Sequence, residues 1–441
     1  MRFYLEPFVA LVCAVSATCA FAADLIEVHR AASAFDAQIN AARAQRDAGL
    51  EKLPQGRAGL LPIINLSAST TWNESDTTLR ATGSTVSRNY NSNGWNVSLT
   101  QPLFRWQNWV GYQQAELAAA LAEVQYVQAS QDLILRVAQA YFDVLLAQET
   151  LATAQAQKTA IAEQLEAARK SFEVGTATIT DTHEAQARYD LALAAEIAAE
   201  NDLAVKRQAL RTLTGKEFDA LKGLRQGVRI EPPQPADPGQ WATSAESGNL
   251  GVQLAQTSYE IARRETEKQR AGHYPMLDLV ATHGRSGSGF SSTTGGGVDV
   301  KSSTIGLQFV LPLYAGGAVS SKEREAAALL EKARADLDQA RRLAALAARQ
   351  AYLGVSSGLA QIKALEAGVA SSQLALESNK LGYEVGVRIN IDVLNAQSQL
   401  YDTKQKLAKA RFDTLIAQLK LKAAAGTLSE DDLAAINALL E

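Results

Sequence analysis

The sequence predicts a mainly α-helical fold with membrane β-strands, built from two copies of one unit in which a strand pair feeds a very long helical hairpin. Three observations predict it. Phe172-Glu173-Val174-Gly175-Thr176 recurs as Tyr383-Glu384-Val385-Gly386-Val387, and Gln139-Ala140-Tyr141 as Gln350-Ala351-Tyr352, both offset by 211 positions. A near-constant offset over more than a hundred residues indicates duplication. Each copy also holds a long run without proline and, before it, segments that alternate apolar and polar residues.

The chain opens with Arg2, an apolar run from Phe8 to Ala17, and Ala20-Phe21-Ala22. That order is expected of a secretory signal peptide over residues 1–22, cut after Ala22. Cys13 and Cys19, the two cysteines of the sequence, both fall inside it, so the mature chain is expected to lack disulfides and thiol chemistry.

The first copy is expected over residues 23–222. A helical segment, Leu25 to Leu53, leads to Pro62 and a strand pair within 61–104, with strands at Ile63–Trp72 and Trp95–Leu103. Trp95, Val97 and Leu99 alternate with Asn96, Ser98 and Thr100, the period of two of a strand with one apolar face. Asn73–Gly94 reads as a loop between them. A helical hairpin spans 106–214: an outward run from Trp106 to Phe172, a turn at Val174-Gly175-Thr176, and a return helix from Asp181 to Thr214-Gly215. The outward run would be roughly 100 Å long at about 1.5 Å per residue. Leu133, Val137, Ala140, Val144 and Ala147 give it a coiled-coil-like stripe.

Residues 223–238, with Pro232, Pro233, Pro235 and Pro238, read as a linker. The second copy, 239–441, repeats the order. A helix at Leu250 to Gly272 and Pro275 precede a strand pair within 275–313, with strands at Leu277–Thr282 and Thr304–Leu313 and a loop at Gly284–Gly297. A hairpin over 319–425 turns at Val385-Gly386-Val387, and a C-terminal segment follows.

Four amphipathic strands cannot close a barrel, and an open edge in lipid leaves backbone groups unsatisfied. Strands pooled from three chains would number about twelve, enough for a pore. The competing reading is an antiparallel sheet on a soluble periplasmic coiled-coil protein, structural or adaptor-like, without a pore.

The formal charge of -4 carries no basic stripe for nucleic acid. His29, His183, His273 and His283 are scattered without metal-ligand spacing, and neither a phosphate loop nor a nucleophile elbow is present. Neither an enzyme, a metal site nor a cofactor is expected.

The residues Tyr383 to Leu428, with Phe172 to Asp190, Leu61-Pro62, Gly272-His273-Tyr274-Pro275 and the Pro-Leu-aromatic entries at Pro102 and Pro312, resemble the TolC family of outer membrane channels across the mature chain. The resemblance implies a homotrimer in outer-membrane lipid, with one twelve-stranded β-barrel and a periplasmic α-helical tunnel belted by the linker and C-terminal segments. It implies a passive, gated exit duct for efflux or type I protein secretion. The turns Val174, Gly175, Thr176 and Val385, Gly386, Val387 would meet a periplasmic adaptor (membrane fusion) protein, serving an inner-membrane ABC or proton-driven transporter. The family's gate positions are held by Thr180 and Asp181 on the first hairpin and Tyr383 and Arg388 on the second. Its two constriction carboxylates fall at Asp392 and Asn395. Asp392 keeps the carboxylate and is expected to attract cations; neutral Asn395 is expected to weaken that preference and block by metal ions.

Overall fold

The computed structural model describes residues 22–225, 227–291 and 294–441. Nearly all of the expected signal peptide, including both cysteines, lies outside the described residues.

The apolar run that reads as one helix at Leu25–Leu53 is three: α1 (Leu25–Phe35), α2 (Ala37–Leu50) and α3 (Lys52–Ala58). Asp36 divides the first two. Its carboxylate accepts the Ile39 amide at 3.3 Å as the cap of α2, and Arg136 holds it at 2.7 Å. A side chain committed to capping favours the start of a new helix over continuation.

Strands β1 (Ile63–Leu79) and β2 (Ser84–Phe104) form a hairpin longer than the alternation indicated. The stretch 73–94, expected as a loop, is strand except for the turn between Leu79 and Ser84. Ser, Thr and Asn occupy both faces there, so no apolar alternation announces the strand. The ladder is instead dressed by polar cross-strand contacts such as Thr78 with Thr85 at 2.9 Å and Asn73 with Ser92 at 2.8 Å. Likewise β3 (Met276–Ser288) extends into the expected second loop, β4 (Val298–Val310) begins six residues before the expected Thr304, and β4 stops before Pro312. The four strands form one antiparallel sheet in the order β1-β2-β3-β4.

Helix α4 (Trp106–Glu173, 68 residues) follows the first pair and α8 (Ala318–Glu384, 67 residues) the second. The returning helices are α5 (Ile179–Thr214) and α9 (Asn390–Ala424). Helices α6 (Pro238–Gly248) and α7 (Leu250–Arg270) pack along α8, as α2 and α3 do along α4. Arg105 anchors the start of α4 to β3 through a two-pronged ion pair with buried Asp278, Nε to Oδ1 at 2.8 Å.

A belt crosses the middle of these rods. Leu25, Val28 and Ala32 of α1 join Val137, Tyr141 and Phe142 of α4, Phe412 and Leu415 of α9, and Leu433 and Ile436 of α10 (Glu430–Asn437) in one core. Phe142 stacks on Phe412 at 5.5 Å, which ties the two repeats together. The buried Tyr141 hydroxyl donates to the Ala23 and Lys222 carbonyls at 3.2 and 2.8 Å. Single bridges Ala23–Leu221 and Leu224–Leu440 stitch the termini to the inter-repeat segment. At Gly426 (φ 75°) a Cβ would stand 1.9 Å from the Gly248 carbonyl oxygen, so only glycine fits where the second hairpin ends.

His29 of α1 is buried in this belt. Burial holds its pKa below the ordinary 6.5, against the pull of Glu430. The unfolded chain therefore takes up a proton as pH falls through 6.5 while the folded chain resists it. The stability is fully present above that pH and declines below it. The thermal midpoint is expected to fall on acidification below pH 6.5, and His29→Leu to flatten the decline.

Candidate pore and gate

Cross-strand partners point to the same side of a sheet, so the register assigns the two faces. Ile64, Leu99, Ala281 and Ile305 form one unbroken apolar row across all four strands. Leu66, Val97, Leu279, Leu307 and Phe309 share that face. The alternate rows are polar: Asn65, Ser98, Thr282 and Thr304, then Ser67, Asn96, Gly284 and Ser302. The apolar face is uncovered, with Leu66 72% and Ile305 76% exposed. Its apolar stretch runs from Leu277 and Phe309 to Leu66 and Val97, about 20 Å at ~3.3 Å per residue, before the row of Ala68, Trp95, Arg285 and Lys301 brings in charge; the apolar band of outer-membrane barrels is ~25 Å tall. Trp72 and Trp95 stand near its outer end, where aromatic girdles sit. The outer strands β1 and β4 each leave one edge unpaired within the chain. None of the described helices is long and apolar enough to cross a membrane.

The helices carry unmatched surfaces too. Leu346, Leu353, Ala360, Ala367, Leu374 and Leu381 recur every seventh residue along α8, and all are exposed. Leu191, Ala198 and Val205 do the same on α5. Seams of this period bury themselves against another helix. Helix α9 differs: Asp392, Asn395, Gln399, Asp402 and Lys406 line its outer face, while Val393, Leu394, Gln397 and Leu400 turn inward. An exposed face with only polar residues suits contact with water.

The two hairpin turns share one backbone. Gly175 (φ 77°) and Gly386 (φ 78°) take the left-handed position after the helix. The Thr176 amide donates to the Ser171 carbonyl at 2.8 Å, and the Val387 amide to the Gly382 carbonyl at 2.9 Å. Val174, Val385 and Val387 project into solvent.

Beyond the glycines the copies diverge. In the first, Thr178 and Asp181 form a reciprocal cap for α5: Asp181 Oδ2 accepts the Thr178 amide at 2.9 Å and its hydroxyl at 2.8 Å. In the second, Ile389 occupies the cap position and offers no side-chain acceptor. Thr180 and His183 are exposed. Tyr383 packs against Leu376, Val393 and Leu400. Arg388 lies 3.6 Å from Asp392, its neighbour on the next turn. Within one chain, then, Arg388 and Tyr383 do not bond Asp181 or Thr180: each charged partner is engaged locally, by helix spacing or by the cap.

Other residues join the two hairpins. Asn390, at the first position of α9, is 1% exposed. Its Oδ1 accepts from Gln164 of α4 at 2.6 Å, and its Nδ2 donates to the Asp181 carbonyl at 3.4 Å. Beside it, Leu394 inserts among Ile161, Leu165, Ala168, Ala185 and Ala192 of the first hairpin. Arg188 of α5 donates to Asn395 Oδ1 at 2.9 Å. Further up, Tyr401 donates to the Ala156 carbonyl at 3.3 Å. Burial pushes the Glu149 carboxyl above its ordinary pKa, and Arg411 pulls against it. Asn390, Gln164 and Arg188 escape a motif reading. The signal that exposes Asn390 is the repeat itself, since the matching position of the first copy is Ile179.

Among the described residues no cluster of His, Cys, Asp or Glu could hold a metal. The family described as outer membrane efflux protein matches residues 29–216 and 241–427. Outer membrane protein TolC of Escherichia coli strain K12 is 35% identical over 427 residues, covering 94% of this chain and 85% of that protein. Alkaline protease secretion protein AprF of Pseudomonas aeruginosa is 34% identical over 418 residues, covering 94% of this chain and 86% of the relative. Among solved structures, the outer membrane protein VceC of Vibrio cholerae aligns with a TM-score of 0.76 at 18% identity, over 91% of this chain and 96% of that one.

Proposed function

Because the chain belongs to the outer membrane efflux protein family, it is an outer-membrane channel subunit, and we propose that three copies form one pore, gated at the hairpin tips. The single observation that carries the trimer is the sheet. Four strands with one lipid-seeking face, one polar face and two unpaired edges satisfy their backbone in a membrane only by pairing edge to edge with other copies. Three copies give twelve strands, the polar rows then lining a lumen. The apolar seams of α8 and α5 meet across the same protomer boundaries below the membrane, and the polar face of α9 turns to the bore. In this reading the first copy spans 23–222, the second 239–441, and 223–238 links them.

Asn390 with Gln164 clasps the two hairpins of a protomer. Thr180, Asp181, Tyr383 and Arg388 meet across protomers, and Asp392 with Asn395 ring the narrowest point. The exposed Val174, Gly175, Thr176 and Val385, Gly386, Val387 form a crown of apolar tips suited to a periplasmic adaptor, through which an inner-membrane transporter loads cargo. The duct itself holds no energy source. Protein extracted from outer membranes is expected to have the native mass of three mature chains; a particle of one or two chains, with four or eight strands, contradicts the shared pore.

A further inference from the structure

The neutral residue at 395 has a consequence in the charge it leaves on its partner. Arg188 reaches across from α5 and donates from Nη2 to Asn395 Oδ1 at 2.9 Å. Among the described residues no carboxylate forms an ion pair with Arg188. Glu184, one turn earlier on the same helix, forms no ion pair with it, and the Asp181 carboxylate, which keeps its charge while accepting from Thr178, forms none either. One turn nearer the tip, the Arg388 guanidinium lies 3.6 Å from the Asp392 carboxylate. The lower end of the wetted face of α9 therefore gathers two guanidinium groups, of which only Arg388 has a carboxylate in ion-pair reach. An aspartate at 395 would pair with Arg188. An amide accepts the same hydrogen bond but supplies only a dipole.

We propose that Arg188, positioned by Asn395, is a selectivity residue of the duct and makes its constriction favour anions over cations. The proposal rests on the reading of Asp392 and Asn395 as the constriction of a threefold pore. Around that axis the unpaired Arg188 guanidinium repeats in each protomer. A narrow mouth with low-dielectric walls focuses such a field on passing ions. Asp392 alone would attract cations. With Arg388 beside it and Arg188 unpaired one turn away, it no longer sets the sign, and polyvalent cations lose their binding ring.

The test is the reversal potential of purified trimers in planar bilayers under a steep KCl gradient, with hexaamminecobalt(III) as the polyvalent probe. Wild type is expected to reverse on the anion-selective side and to keep its current in the probe. Arg188→Gln and Asn395→Asp should each shift the reversal potential toward the cation side, and Asn395→Asp should add block by the probe. Asn395→Asp retains an acceptor for Arg188, so it guards against a folding defect in Arg188→Gln. A cation-selective wild type, or a reversal potential that neither variant moves, overturns the proposal. Trimers that carry no current overturn the reading beneath it.

Discussion

Leu307→Arg is expected to abolish stable insertion, while Thr304→Arg, three residues away, is tolerated. Leu307 lies on the apolar face between Ile305 and Phe309, beside Leu279 on the neighbouring strand. Thr304 lies in the polar row with Asn65, Ser98 and Thr282. An arginine facing lipid near the midplane costs about 2–4 kcal/mol in an outer-membrane barrel, and one facing the lumen costs little. In a threefold pore the lipid-facing penalty is incurred three times, roughly 6–12 kcal/mol, comparable to the whole stability of an ordinary domain. The readout is the fraction of chain that resists extraction from membranes and runs as a heat-sensitive trimer. Equal loss in both variants would mean that the register does not sort lipid from lumen.

Asn390→Ala is expected to open the periplasmic end more than Arg388→Ser does through its contact within the chain. Asn390 is buried and makes two hydrogen bonds between hairpins. Losing them costs about 1–2 kcal/mol per protomer, because Gln164 and the Asp181 carbonyl are left without partners. Summed over three tips that move together, this is roughly 3–6 kcal/mol, or about two to four decades in the closed-to-open ratio. The Arg388–Asp392 pair is exposed and contributes about 0–1 kcal/mol, so losing it inside one chain changes little. Cells carrying Asn390→Ala should become sensitive to a large antibiotic that intact outer membranes exclude, with trimer yield unchanged. Unaltered resistance at normal trimer yield would remove Asn390 from the gate.

The architecture was legible because it is written twice. The hairpin turns at Gly175 and Gly386 were readable from the repeat, since a left-handed residue after a helix calls for glycine. The apolar face was readable where alternation is strict, at Val97 and Leu99 or Ile305 and Leu307. What escaped lacked any periodic apolar signal. Residues 73–94 form strand through backbone pairing with polar side chains on both faces, which resembles a loop in sequence. Asp36 reads as an ordinary helix-surface residue until Arg136, a hundred positions away, holds it as a cap. The gate motif drew attention to the two turns, yet the contacts inside one chain are made by Asn390, Gln164 and Arg188. These are pairings between distant residues that no local spacing encodes. Asn395 drew notice as a missing charge, whereas its partner Arg188 became visible only once α5 and α9 stood side by side.

Single-channel conductance of the purified wild-type trimer in planar bilayers measures whether the duct is passive and held nearly shut at its tips. Small, uniform steps are expected, which grow severalfold in Asn390→Ala without change in trimer mass. Intact trimers that insert yet carry no current in either form would contradict the duct, and equally large steps in both would contradict the gate.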